Sequence, residues 1–173
     1  MSATISASHR PDAPGSSSVV AVIPARYGST RLPGKSLIPL CGKPLVQWVY
    51  ERTRQASALE RVIVATDDER IANAVRGFGG EAVMTRSDHP SGTDRIAEAV
   101  QGLSADVVVN VQGDEPLIEP ALVNDVARAL AGDSSWDMAT AATALSRDED
   151  LMNPAVVKVV WGADQRALTY RDQ

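Results

Sequence analysis

The chain has 173 residues, a net charge of −5 and a pI near 5.0. That acidic balance excludes a protein that coats nucleic acid, because phosphate contacts need a basic surface. The length predicts one domain, and with 44% apolar but only 4% aromatic residues its core must be Val, Ala, Leu and Ile.

Residues 1–18 are rich in Ser, Ala and Pro and lack the apolar centre of a secretory signal. They predict a disordered N-terminal extension ahead of a domain over 19–173. No apolar run reaches the length of a membrane span, so a cytoplasmic location is expected, with no membrane or nucleic-acid partner. Cys41 is the single cysteine, which rules out an intramolecular disulfide. His9 and His89 fall in no metal-ligand spacing.

Residues 19–23, Val-Val-Ala-Val-Ile, form a short apolar run that predicts a strand buried on both faces. A basic loop follows, with Arg26, Arg31 and Lys35 among Gly28, Ser29, Thr30, Pro33 and Gly34. Gly42-Lys43-Pro44 is expected to start a helix, with Leu45, Val49 and Thr53 on one face. Residues 61–65 are a second apolar strand. Thr66 to Glu69 then give a cap and an acidic first turn to a helix with Ile71, Val75 and Phe78 inward. Residues 81–84 read as a third strand.

A polar connection, 85–92, leads to a helix capped by Thr93 or Asp94, with Ile96, Val100 and Leu103 buried. Residues 106–111 are the fourth strand and end in Gln112-Gly113-Asp114-Glu115-Pro116. Pro120 opens a helix with Leu122, Val126 and Leu130 inward. Further strands are expected over 137–144 and 155–160. Strands alternating with helices through short links predict an α/β fold, a mostly parallel sheet with helices on both faces.

In such sheets ligands bind beyond the C-terminal strand ends. The basic loop after the first strand suits a phosphate chain, because a triphosphate's charge needs cationic and hydrogen-bonding partners. It nearly fits a P-loop, but five residues separate Gly28 from Gly34 where a P-loop has four. Pro39 and Gly42 also bar the helix that a P-loop lysine begins. A solvated basic loop is the plainer alternative. Asp114, at the end of the fourth strand, suits a magnesium ion, which takes one or two carboxylates plus phosphate oxygens. The alternative is a turn residue or helix cap before Pro116; Glu115 is a second candidate ligand, but its place before Pro116 points it outward. Together the loop and Asp114 describe a phosphoryl- or nucleotidyl-transfer site.

Residues 23–35, Ile-Pro-Ala-Arg-Tyr-Gly-Ser-Thr-Arg-Leu-Pro-Gly-Lys, closely resemble the opening of the 3-deoxy-manno-octulosonate (Kdo) cytidylyltransferases. The likeness continues through Val64-Ala65-Thr66-Asp67, through Met84-Thr85-Arg86-Ser87-Asp88-His89 and through Ser91-Gly92-Thr93-Asp94-Arg95. It extends to residues 109–116 and to Asn153-Pro154. The resemblance implies a Rossmann-like nucleotide-diphospho-sugar transferase fold. It also implies an enzyme that converts CTP and Kdo to CMP-Kdo and diphosphate with Mg2+, for lipopolysaccharide biosynthesis. By matching motif, Arg26, Ser29 and Lys35 would hold the CTP phosphates, with Ala25 near the nucleoside. Arg86 and Ser91 would meet the cytosine, Asp114 would bind magnesium, and Arg31 and Gln112 would face the Kdo. Arg26, Lys35 and Asp114 are thus the expected catalytic set.

The family is homodimeric and continues beyond the position of Gln173, so the C-terminal part of the domain is expected to be missing. A CTP-binding remnant without turnover is the alternative to an active enzyme. A P-loop-like kinase is a further one.

Overall fold

The computed structural model describes residues 17–28, 32–145, 147–164 and 166–171. The expected extension over 1–18 lies outside them but for its last two residues. Two compact units are present, one up to Ala139 and one from Thr140 onward.

The first unit is built on a four-stranded sheet. Strands β1 (Val19–Ala25), β4 (Arg61–Thr66), β5 (Glu81–Met84) and β6 (Val107–Asn110) lie in the order β5-β4-β1-β6, all parallel. Continuous apolar runs are what a strand covered on both faces requires. Alternate residues of β1 serve the two faces. Ala21 and Ile23 face helices α1 (Leu45–Thr53), α2 (Glu69–Gly77) and α4 (Pro120–Ala131); Val20 and Val22 face α3 (Gly92–Ala99). Ile63 is fully buried against the α3 side. Ile63→Val is expected to cost about 1 kcal/mol, seen as a lower urea midpoint at unchanged slope.

β1 runs two residues further than the apolar run predicts. Pro24 lies in register with Ala65 of β4. Val22 accepts from the Val111 N–H at 3.1 Å, so its carbonyl faces β6, and Pro24, two residues on, faces the same way. The β6 ladder ends there, so the N–H that proline lacks is not needed.

Several expectations need correction. Gly42-Lys43-Pro44 does not start a helix. Lys43–Pro44 (β3) pairs antiparallel with Pro39–Leu40 (β2) across a turn in which Cys41 and Gly42 both have positive φ, and α1 begins only at Leu45. Its buried face is Val46, Val49, Tyr50 and Thr53, so Val49 and Thr53 lie inward as expected and Leu45 does not. Thr53 is accommodated by donating its hydroxyl to the Val49 carbonyl at 2.7 Å. In α4 the inward residues are Val123 and Ala127, and Leu122 is exposed. Ser91, not Thr93 or Asp94, caps α3, accepting from the Asp94 N–H at 3.1 Å. No strand forms over 137–144, where alternating Ala and Thr offer no large apolar face to bury.

In the second unit a short helix α5 (Glu149–Met152) precedes an antiparallel pair, β7 (Lys158–Trp161) and β8 (Ala167–Arg171). β7 starts three residues later than the expected strand at 155, and β8 was not expected. Among the described residues no helix is long and apolar enough to cross a membrane.

Candidate nucleotide site

From β1 the chain moves outward through β4 and β5. It then returns across the sheet by α3 to place β6 on the other side of β1. The direction of winding therefore reverses between β1 and β6, and ligands of open α/β sheets bind beyond the strand ends at such a point. The loop after β1 and the turn after β6 both arrive there.

The described part of the basic loop is pinned locally. The Gly34 N–H donates to the Tyr27 carbonyl at 2.8 Å, closing the loop into a ring. Gly34 has φ 70°, and a Cβ there would stand 3.0 Å from the Tyr27 ring. The Arg70 guanidinium lies over the same ring, 3.4 Å from its centre. Arg70 also donates to Asp68, which holds that carboxyl below the usual carboxylate range. A single 3-10 turn, Lys35–Leu37, leaves the loop. Its first residue sends Nζ to Asp114 Oδ2 at 2.7 Å.

Asp114 is brought there by Gly113. A Cβ on Gly113 would lie 2.8 Å from the Pro24 carbonyl oxygen, so the turn after β6 runs directly over the end of β1. Asp114 and Lys35, 79 positions apart, are thus joined by strand order.

The remaining predicted residues surround this pair less closely. Ala25 is buried as the last residue of β1, level with Thr66, and Arg26 follows it, exposed. Gln112 is exposed and donates to Asn110 at 3.2 Å. Arg86 pairs with Asp88 at 3.7 Å and Glu98 at 3.5 Å and does not meet Lys35 or Asp114 in the described contacts. Ser91 is occupied in capping α3. Ser29 and Arg31 lie outside the described residues. Glu115 is exposed, as its position before Pro116 implied.

An open cleft of about 620 Å³ lies along α3, lined by Arg86, His89, Pro90, Asp94, Ala97, Glu98 and Gln101. Motif reading missed its central pair, the buried His89 ring hydrogen-bonded to Glu98. An ionised carboxylate only accepts, so His89 Nε2 carries the proton. The His89 hydrogen bond and, after it, the Arg86 N–H hold the Glu98 carboxyl below its ordinary value of 4.5, against an opposing effect of burial. A carboxyl lowered by folding adds stability above its ordinary value and loses it as pH falls through the lower, folded one. Glu98→Gln is therefore expected to melt below the parent at neutral pH, the gap narrowing as pH drops below 4.5 in a pH series of thermal melts.

Residues 20–173 match the family model described as cytidylyltransferase. The chain belongs to the cytidylyltransferase family. Within the family it is 56% identical over 158 residues to the 3-deoxy-manno-octulosonate cytidylyltransferase of Pseudomonas fluorescens, covering 90% of this chain and 62% of that one. It is 52% identical over 152 residues to the enzyme of that name from Trichlorobacter lovleyi, covering 88% and 60%. The chain thus spans about 60% of the length of these curated relatives. A solved CMP:2-keto-3-deoxy-manno-octonic acid synthetase complexed with CTP superposes with a TM-score of 0.81 at 44% identity, over 91% of this chain and 65% of that one. The resemblance read from the motifs and the α/β nucleotidyltransferase fold are both borne out.

Proposed function

We propose that the crevice between β1 and β6 binds CTP, and that residues 19–173 form a nucleotidyltransferase domain that transfers the cytidylyl group to Kdo. The observation that carries this reading is the contact of Lys35 with Asp114 at the reversal point of the sheet. A cation suited to phosphate oxygens, beside a carboxylate suited to a hard cation, supports that reading.

Asp114 fits a magnesium ion bound mainly through its nucleotide. Lys35 engages one carboxylate oxygen, the other is left over, and the side chain is half exposed. One carboxylate suffices where phosphate oxygens complete the octahedron. The described residues hold no cluster of three acidic, His or Cys ligands that would bind a cation alone. When bound, magnesium neutralises charge on the reacting phosphate.

The chain's own residues do the rest. Lys35 exchanges its carboxylate partner for a phosphate oxygen as the nucleotide arrives, which frees Asp114. Arg26 and Ser29 complete the grip on the triphosphate, with Ala25 against the nucleoside and Arg86 and Ser91 at the cytosine. Arg31 and Gln112 orient Kdo so that its anomeric hydroxyl oxygen attacks the α-phosphorus. A bond from that oxygen to phosphorus forms, the bond to the β-phosphate oxygen breaks, diphosphate leaves and the hydroxyl proton is lost to solvent. Cations fixed around the phosphates need no rearrangement as charge moves to the leaving group. CMP-Kdo made this way in the cytoplasm would feed lipopolysaccharide assembly, with a second copy of the chain as the partner.

Diphosphate release from CTP, dependent on both Kdo and Mg2+, tests the reading. Preference for ATP over CTP in competition binding would overturn it. CTP binding with no diphosphate release would leave nucleotide binding alone as the function.

A further inference from the structure

Arg95 is an arginine buried where an apolar side chain would be expected. It is 4% exposed, on the inward face of α3 beside Ile96 and Ala99. Its guanidinium donates to Thr85 Oγ1 at 2.5 Å and pairs with Asp67 Oδ2 at 3.3 Å. Thr85 is itself buried, and its N–H donates to the Thr66 carbonyl at 2.8 Å. Asp67 Oδ1 is shielded from solvent and has no hydrogen-bond partner among the described residues.

Such a cluster is a poor way to gain stability. Desolvating a guanidinium and a carboxylate can cost as much as their attraction returns, and an apolar side chain often packs in such a place at no loss. What the cluster holds still is its more specific consequence. It joins the end of β4, through Asp67, to the first residue beyond β5, Thr85. Thr85 begins the 85–91 connection, which carries Arg86 and Ser91.

α3 holds the rest of that connection as well. Glu98 accepts from the Arg86 N–H at 3.3 Å and from the His89 ring, and Ser91 closes the connection as the cap of α3. Beyond Ser91, a Cβ on Gly92 would stand 3.4 Å from Pro24 Cγ, so the connection finishes against the end of β1. Of these anchors Arg95 is the one that is buried and charged.

We propose that Arg95 is a positioning residue for recognition of the nucleotide base. It touches no nucleotide. It fixes Thr85 and Asp67 so that Arg86 and Ser91 are already placed when the base arrives, which removes the ordering cost from binding. The inference rests on the CTP reading above.

Calorimetric titration of CTP, UTP and inorganic tripolyphosphate, each with Mg2+, tests it on the parent chain, Arg95→Met and Thr85→Val. Thr85→Val removes only the hydroxyl that Arg95 grips, so it keeps the test alive should Arg95→Met not fold; circular dichroism confirms folding. The expected result is a fall of about tenfold or more in CTP affinity for Arg95→Met. A smaller fall is expected for Thr85→Val. The preference for CTP over UTP should shrink in both while tripolyphosphate affinity stays at the parent value. General loosening of the fold would not separate base from phosphates in this way. Folded variants that keep the parent preference, or that lose CTP and tripolyphosphate equally, overturn this inference alone. A parent chain with no preference for CTP overturns the cytidylyl reading and this inference with it.

Discussion

Lys35→Ala is expected to weaken CTP binding about 10- to 100-fold while leaving the melting temperature nearly unchanged. The two effects separate because the side chain does different things in the free and bound states. In the free protein Lys35 and Asp114 are 41% and 51% exposed, and an ion pair that open to water contributes at most about 1 kcal/mol to stability. Against a triphosphate in a crevice the same ammonium makes a charge-assisted hydrogen bond, worth about 1.5–3 kcal/mol. Asp114 moves in the opposite direction. Without the lysine its carboxylate has lost its counter-ion, so Mn2+, used as a spectroscopic stand-in for magnesium, should bind the nucleotide-free variant more tightly than it binds the parent. Calorimetry with CTP and electron paramagnetic resonance with Mn2+ read the two halves separately. Unchanged CTP affinity in the variant would remove Lys35 from the phosphate clamp. Unchanged Mn2+ affinity would show that the ion pair does not hold Asp114 back.

The members of that pair were each legible in the sequence, and the rule for strand ends put them in one site, but their direct contact was not legible. Lys35 stood out because cations, glycines and prolines are concentrated after an apolar strand, and Asp114 because a carboxylate ends another. Their contact depends on β6 lying beside β1, a sheet order that the four strand runs do not encode. The strands over 61–66 and 81–84 were legible for the reason that the strand over 137–144 was wrongly expected. Apolar runs mark buried strands well, whereas alternating Ala and Thr mimic the pattern without the volume to fill a core.

Errors of face had local causes. α1 starts at Leu45 because the Cys41-Gly42 turn makes a hairpin of the residues before it, and Val46 and Tyr50, not Leu45, join Val49 and Thr53 on the buried stripe. Arg95 left only a weak trace, an arginine on the stripe of Ile96 and Ala99. Charged residues on such a stripe usually reach out to water, and nothing local to α3 announces that Asp67 and Thr85 wait beneath it.

Gly113→Ala should combine a loss of stability with a loss of nucleotide binding, because one contact serves both. The added Cβ would sit 2.8 Å from the Pro24 carbonyl oxygen, closer than a Cβ can approach. The oxygen belongs to the backbone of β1, which is paired with β4 on its other side and cannot yield as a side chain would. The turn must lift instead. Overpacking of this kind costs about 1–3 kcal/mol. In a chain of this size that lowers the melting temperature by about 2–4 °C per kcal/mol. Lifting the turn also carries Asp114 away from Lys35, so CTP affinity should fall and its dependence on Mg2+ should weaken. Gly77→Ala is the control: it ends α2 with open space around the position and should melt at or slightly above the parent temperature. A Gly113→Ala protein with the parent's melting temperature and CTP affinity would show that the turn after β6 does not need its close approach to β1. The strand order would then be left without a means of delivering Asp114 to the phosphate-binding loop.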